Sequence, residues 1–278
     1  MNGEMQTSTS GSRSTAGNLL LGCCPCFVDP CGPTRRSEYV KSLRSFSVLV
    51  GLLQVLMFIV SVSLKGFVSP SQNPMLGPPT ESLVLLGAKQ CYLIQQRYQL
   101  FRFLTPILLH AGIIHLVMNM ICQWRFALFV ERRWGTPRFA AVYLSAGFGA
   151  TLLSLLWNPN KIAVGASGAL MGIMGGFIAD LILNWNTMQP FTRNTLLIQT
   201  ATWSIIGLAL GFVPFVDAGA HFGGWVFGLA ASFVANSHIP SERRMRIMAM
   251  IVPAVLITIF IITGIACFWA VVKCTPYP

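Results

Sequence analysis

Long apolar runs alternate with short basic ones along this chain, and that alternation decides its class. By apolar length, candidate membrane spans cover residues 46–64, 105–130, 139–157, 167–184, 195–213, 219–236 and 247–272. A span needs about 20 mostly apolar residues. Only 10% of the residues are charged and the mean hydropathy is +0.65, where a soluble domain carries about 25% charged residues. The expected fold is all-α, a polytopic transmembrane helical bundle in the lipid bilayer. A formal net charge of +11 would suggest nucleic acid in a soluble protein. Here the basic residues flank apolar runs and read as topology, so no nucleic-acid partner is expected.

Those flanking charges orient the bundle. Arg35, Arg36, Lys41 and Arg44 precede the first span, and Arg132, Arg133 and Arg138 lie between the second and third. Arg193 lies between the fourth and fifth, and Arg243, Arg244 and Arg246 between the sixth and seventh. All fall on one side, which is expected to be cytosolic. The long 65–104 link, the 158–166 loop, the 214–218 turn and the 273–278 tail then face the lumen or exterior. The link is semi-apolar and broken by Pro70, Pro74, Pro78 and Pro79; loops of that length are usually functional or partly embedded. Residues 1–45, rich in Ser, Thr and Gly and then Cys and Pro, read as a disordered cytosolic tail. No secretory signal peptide is expected ahead of the first span.

The cysteines divide by the same topology. Cys23, Cys24, Cys26 and Cys31 cluster in the tail. Zinc is open by ligand count, but only Cys23 and Cys26 have C-x-x-C spacing, and palmitoylation near the membrane is the preferred expectation. Cys91 and Cys274 are the cysteines placed outside. A disulfide between them is an open alternative, because sequence does not give their separation.

Span four begins in "VGASGAL", with Ser167 between Gly165 and Gly168. A serine here is ordinarily an N-cap. It could also be a nucleophile, with the unpaired N–H groups of a helix start facing a developing oxyanion. Span six begins in "DAGAHFGGWVFG". His221 is an ionisable group at membrane depth, a functional candidate by default; it could serve as general base or simply be satisfied by interhelical hydrogen bonds. Both spans run inward from the outer side, so Ser167 and His221 share a depth. Gly168, Gly172 and Gly176, with Gly224 and Gly228, form small-xxx-small stripes that let the two helices approach closely. Such packing would bring the hydroxyl to the imidazole.

Span two opens "TPILLHAGIIHLVMN", read as an N-cap threonine followed by Pro106 in the first helical position. His115 and Asn119 then share one face and could donate to an oxyanion. His110 lies about 140° around the same helix and points elsewhere. Of 8 acidic residues, Asp180 lies roughly 20 Å along the helix from Ser167, and Asp217 reads as the N-cap of span six. The reading is a Ser–His dyad without a carboxylate.

With these motifs in order, the chain resembles the rhomboid family of intramembrane serine proteases over about residues 46–270. The family's G-x-S-G is Gly165–Gly168, its A-H-x-x-G-x-x-x-G is Ala220, His221, Gly224 and Gly228, and its H-x-x-x-x-H-x-x-x-N is His110, His115 and Asn119. Glu131 and Gly135, with Arg132 beside the acid, look like its E-x-x-x-G. The resemblance implies Ser167 as nucleophile, His221 as base, and an oxyanion hole of the Ser167 N–H, His115 and Asn119. It implies a six-helix catalytic core plus one C-terminal helix, as in the eukaryotic secretory-pathway type, with a Golgi or plasma-membrane location. It implies cleavage of single-pass membrane proteins at or near the outer end of their transmembrane helix, with lateral entry past span five and no cofactor or metal. The family's Trp-Arg in the first long loop is here Phe101-Arg102, which puts that loop's aromatic packing in question. The rival class is a non-proteolytic rhomboid-like protein that binds membrane clients for trafficking or degradation; such relatives lose the serine or the histidine. A transporter would want unwound polar helices or inverted repeats, and neither is visible.

Overall fold

A computed structural model describes residues 45–276, and among them the structure is helical, with a single isolated β-bridge between Lys89 and Ala163. The tail expected over 1–45, with Cys23, Cys24, Cys26 and Cys31, lies outside the described residues apart from Ser45. The elements run α1 (Phe46–Lys65), α2 (Thr80–Leu86), α3 (Cys91–Arg97), α4 (Ile113–Trp134), α5 (Thr136–Trp157), α6 (Ser167–Leu183), α7 (Pro190–Leu210), α8 (Ala218–Ala235) and α9 (Arg243–Ala270). Five of them, α1, α4, α5, α8 and α9, are long and apolar enough to cross a membrane. The protein is a multi-pass membrane protein. At 17 residues α6 is short for a span, but its side chains meet protein rather than lipid, which relieves it of matching the bilayer.

Three helices form a wedge at the centre. A Cβ on Gly224 would overlap the Gly168 carbonyl, and one on Gly228 would overlap the Gly172 carbonyl. Gly223 abuts the Gly149 carbonyl, and Gly168 abuts Ala150 and the Ala220 carbonyl. The backbones of α5, α6 and α8 therefore touch, as the small-residue stripes predict. Phe139, Val142, Tyr143, Ile173 and Phe177 fill the adjoining core.

Polar groups fasten the end of the bundle away from Ser167. Glu131 accepts from the Phe46 and Ser47 N–H groups at 2.7 and 2.8 Å and from the Ser47 hydroxyl at 2.6 Å. It thus caps the orphan donors of α1 with a charge that the helix dipole favours. Asp180 is held by Arg133 Nε at 2.6 Å. Inside α4, a π-turn over Gln123–Ala127 turns Gln123 inward. Its amide donates to the Ser47 carbonyl at 2.9 Å and its Oε1 accepts from the Tyr143 hydroxyl at 3.1 Å.

The second span starts later than the sequence suggests. Residues 105–108 form a 3-10 turn, Leu109 is extended, and α4 begins only at Ile113. Thr105 does not cap it; its hydroxyl donates to the Gly87 carbonyl at 2.6 Å. The true start is capped from the link, where the Leu76 and Met75 carbonyls accept from the Ile113 and Ile114 N–H groups. Close approach of that link to Gly112, where a Cβ would overlap Met75, is what breaks the apolar run.

The link is built rather than loose. Arg102 is buried, its guanidinium donating to the Val84 and Ala88 carbonyls at 2.8 Å each and to Gln99 Oε1 at 2.7 Å. Phe101 is exposed, and the buried aromatic beside the arginine is Phe103, on its other side. Cys91 and Cys274, 183 residues apart, form a disulfide. Gln95 adds bonds to the Phe268 and Val272 carbonyls at 2.8 and 2.9 Å. The end of α9 is thereby fastened to the link.

Candidate active site

Ser167 is the first residue of α6, and its hydroxyl caps nothing; the N-cap position is Ala166. His221 lies in the first turn of α8, whose N-cap Asp217 accepts from the Ala220 N–H at 3.0 Å. The wedge packing sets these two helix starts side by side, with His221 Nε2 3.0 Å from Ser167 Oγ. That is hydrogen-bond distance for a nucleophile and its base.

The other ring nitrogen fixes the direction of that bond. His221 Nδ1 lies 2.7 Å from the Gly207 carbonyl oxygen. A carbonyl only accepts, so Nδ1 carries the proton and the neutral ring presents Nε2 as acceptor to the serine. The Gly207 carbonyl is available because α7 ends there: the Gly211 N–H turns to Leu208 instead of reaching back four residues. An orphan carbonyl of a helix terminus thus meets the ring nitrogen that a carboxylate meets in a Ser-His-Asp triad. Sequence reasoning missed it, since a main-chain carbonyl has no residue signature.

Gly165 is required twice over. Its φ is +127°, a conformation that side chains resist, and a Cβ there would come 2.6 Å from His115 Cε1. Its N–H donates to the Pro106 carbonyl at 2.8 Å, so the strap before α4 holds the loop before the serine. His115, Asn119, Ser167 and His221 line one cavity of about 700 Å³. Asn119 Nδ2 donates to the His115 carbonyl at 2.8 Å. Gly168, Gly224 and Gly228 are helix-contact residues, and of the three Gly168 also lines this cavity.

His110 does not point elsewhere. Because it precedes α4, the helical angle does not apply to it, and its ring meets that of His115 edge-on with centroids 5.2 Å apart. It is fully buried, and neither ring nitrogen has a hydrogen-bond partner. Asp180 stands at the other end of α6, as its sequence position requires. Among the described residues, no three His, Cys, Asp or Glu side chains gather as a metal site would need.

The rhomboid domain model matches residues 97–238, a stretch that holds both dyad candidates and the whole central wedge. This chain belongs to the rhomboid family. It is 39% identical over 163 residues to RHOMBOID-like protein 6, mitochondrial, of Arabidopsis thaliana, covering 59% of this chain and 52% of that one. It is 31% identical over 192 residues to Rhomboid-like protease 3 of Toxoplasma gondii, covering 69% and 70%. It is also 35% identical over 200 residues to Rhomboid protease GluP of Bacillus subtilis, covering 72% and 36%. The chain spans about half the length of the Arabidopsis relatives it matches, from 43% to 55% of the first three. The rhomboid family includes intramembrane proteases, and two of these relatives are named as proteases.

Proposed function

We propose that this rhomboid is an active intramembrane serine endopeptidase working through a Ser167–His221 dyad. One observation carries the reading: Nε2 of His221 is 3.0 Å from Ser167 Oγ while Nδ1 is occupied by a carbonyl. Ser167 Oγ attacks the scissile carbonyl carbon as Nε2 takes its proton. The oxyanion forms beside the first turn of α6, where the Ser167 N–H, His115 and Asn119 are the candidate donors. Collapse breaks the C–N bond, and the imidazolium returns the proton to the leaving amine. Water then attacks the acyl-enzyme, giving its proton to Nε2, and Ser167 leaves with that proton. Substrates in this reading are single-pass membrane proteins cut near the outer end of their span. Only an extended peptide bond can enter the site, so helix-weakening residues there favour cleavage. Entry past α7 suits that helix's sparse packing, since only Thr200 and Ser204 are buried along it.

The same proposal places the protein in the Golgi or plasma membrane with a cytosolic N-terminus, palmitoylated on Cys23, Cys24, Cys26 or Cys31. Protease protection of an N-terminal epitope and hydroxylamine-sensitive palmitate release test those parts. The activity is tested with a fluorophosphonate probe and a single-pass reporter in proteoliposomes. The wild type is expected to be labelled on Ser167 and to cut the reporter. An unlabelled, folded protein that still holds clients would make it the non-proteolytic kind.

A further inference from the structure

Lys89 is a lysine with 1% exposure beside the candidate active site. Its three ammonium protons meet three acceptors: Ser154 Oγ at 2.8 Å, the Ser154 carbonyl at 3.3 Å and the Asn158 carbonyl at 2.8 Å. Those carbonyls end α5, where the helix dipole favours a cation. The Ser154 hydroxyl in turn donates to Asp217 Oδ2, and the ammonium lies 3.9 Å from the same oxygen. Asp217 is the residue that starts α8. Its Oδ1 caps the Ala220 N–H, and its carbonyl accepts from the His221 N–H at 3.0 Å. The main chain of Lys89 works in the other direction. It exchanges hydrogen bonds with Ala163 at 3.0 and 3.4 Å, two residues before Gly165.

We infer that Lys89 is a positioning residue for the dyad: its backbone holds the loop leading to Ser167, and its ammonium holds the Asp217-capped start of the helix carrying His221. Both halves of the dyad hang from one residue of the link. The inference rests on the dyad reading above. Lys89 itself touches neither nucleophile nor base. Its partners make the clamp dependent on charge, because a neutral amine offers two donors to three acceptors and no longer attracts Asp217. Burial pushes the Lys89 ammonium down from 10.5 to about 8, with Asp217 opposing and Lys161 adding to the fall. The charged groups facing it are Asp217 at the start of α8 and Lys161 of the 158–166 loop, whose Nζ binds the Val216 carbonyl at 2.8 Å. On its own segment, Arg102 binds the neighbouring Ala88 carbonyl.

Activity and stability should then move in opposite directions with pH. The folded pKa is lowered, so between about 8 and 10.5 the unfolded chain binds more protons, and this group's contribution to stability rises with pH. The clamp on His221 is lost over the same range. The experiment is the rate of fluorophosphonate labelling of Ser167, from pH 6.5 to pH 9.5, with thermal stability followed in parallel. The wild-type rate is expected to fall through about pH 8 without a matching loss of stability. Lys89→Met should label about 10²-fold more slowly, as a displaced base does, with the half-saturating probe concentration unchanged and no alkaline fall. Lys89→Met/Asp217→Asn, which removes the stranded carboxylate charge, should regain stability but not the labelling rate. A folded Lys89→Met that labels at the wild-type rate overturns the inference, and so does a wild-type rate that stays level to pH 9.5. Should Lys89→Met not fold, the wild-type profile decides. No labelling of Ser167 in the wild type at any pH would instead sink the dyad reading.

Discussion

Helices α6 and α7 are neighbours in sequence and opposites in setting. Along α6, twelve residues from Gly168 to Leu181 are buried. Along α7 only Thr200 and Ser204 are, while Ile198, Ile205, Ile206 and Leu210 face outward. Each nevertheless supplies one contact to His221: Ser167 Oγ from α6 and the Gly207 carbonyl from α7. Ser167 and His221 sit on a wedge of touching backbones that cannot shift without breaking the core. The carbonyl that meets His221 Nδ1 sits on a helix with few buried residues, the kind of element that opens at low cost. Close packing behind Ser167 and sparse packing behind the Gly207 carbonyl thus belong to different helices.

The largest effect should come from the wedge side. Ser167→Ala and His221→Ala are each expected to abolish reporter cleavage, and the double variant to be no worse, because nucleophile and base act as a unit. Gel-based cleavage with thermal stability measured for every variant checks this; a folded Ser167→Ala that cuts at the wild-type rate ends the assignment. Next comes Asn119→Ala, which removes one oxyanion donor while the Ser167 N–H and His115 remain. It should lower the rate about 10²–10³-fold. A loss below threefold would mean the Asn119 amide stays on the His115 carbonyl, as it stands here.

A Cβ added on each side of the comparison should separate activity from stability. At Gly207 it would meet the Met171 sulfur at 2.5 Å, the end of a flexible side chain. Gly207→Ala should displace the carbonyl from His221, cost about 10²-fold in rate and leave stability nearly intact, with Met171→Ala restoring part of the rate. At Gly224 the added carbon overlaps the Gly168 main chain. Gly224→Ala should destabilise by about 1–3 kcal/mol or prevent folding. If Gly207→Ala melts the protein, or Gly224→Ala leaves its stability unchanged, the contrast between the two helices is wrong.

How far the sequence alone reaches follows the same divide. The wedge was readable because glycine spacing is a direct statement about backbone approach, and it led from Ser167 to His221. Span two was misread from Thr105 to Gly112 because apolar residues there pack as a strap, and hydropathy does not distinguish a strap from a helix. That error also misplaced His110. Gly207 escaped because its carbonyl is chemistry without a side chain. Lys89 escaped because nothing in the sequence around it announces the three acceptors that its ammonium meets. Sequence left the Cys91–Cys274 pairing open; the structure closes it by folding the tail after α9 onto the link, a contact that hydropathy cannot register.

The smallest expected effects lie on the outward face of α7. Ile205 is 67% exposed there, so in the bilayer its side chain meets lipid tails that are as apolar as itself. Ile205→Ala removes methyl groups from lipid contact, leaves no cavity in protein, and should change stability by no more than about 0.5 kcal/mol. Ile173→Ala makes the same kind of truncation on α6, where the side chain is fully buried in the core. There it leaves a void the touching backbones cannot close, and should cost about 2–5 kcal/mol. Reversible unfolding of both variants in mild detergent measures the ratio. Equal losses at the two sites would show that α7 is packed as firmly as α6, and the Gly207 carbonyl would then be a fixed part of the site.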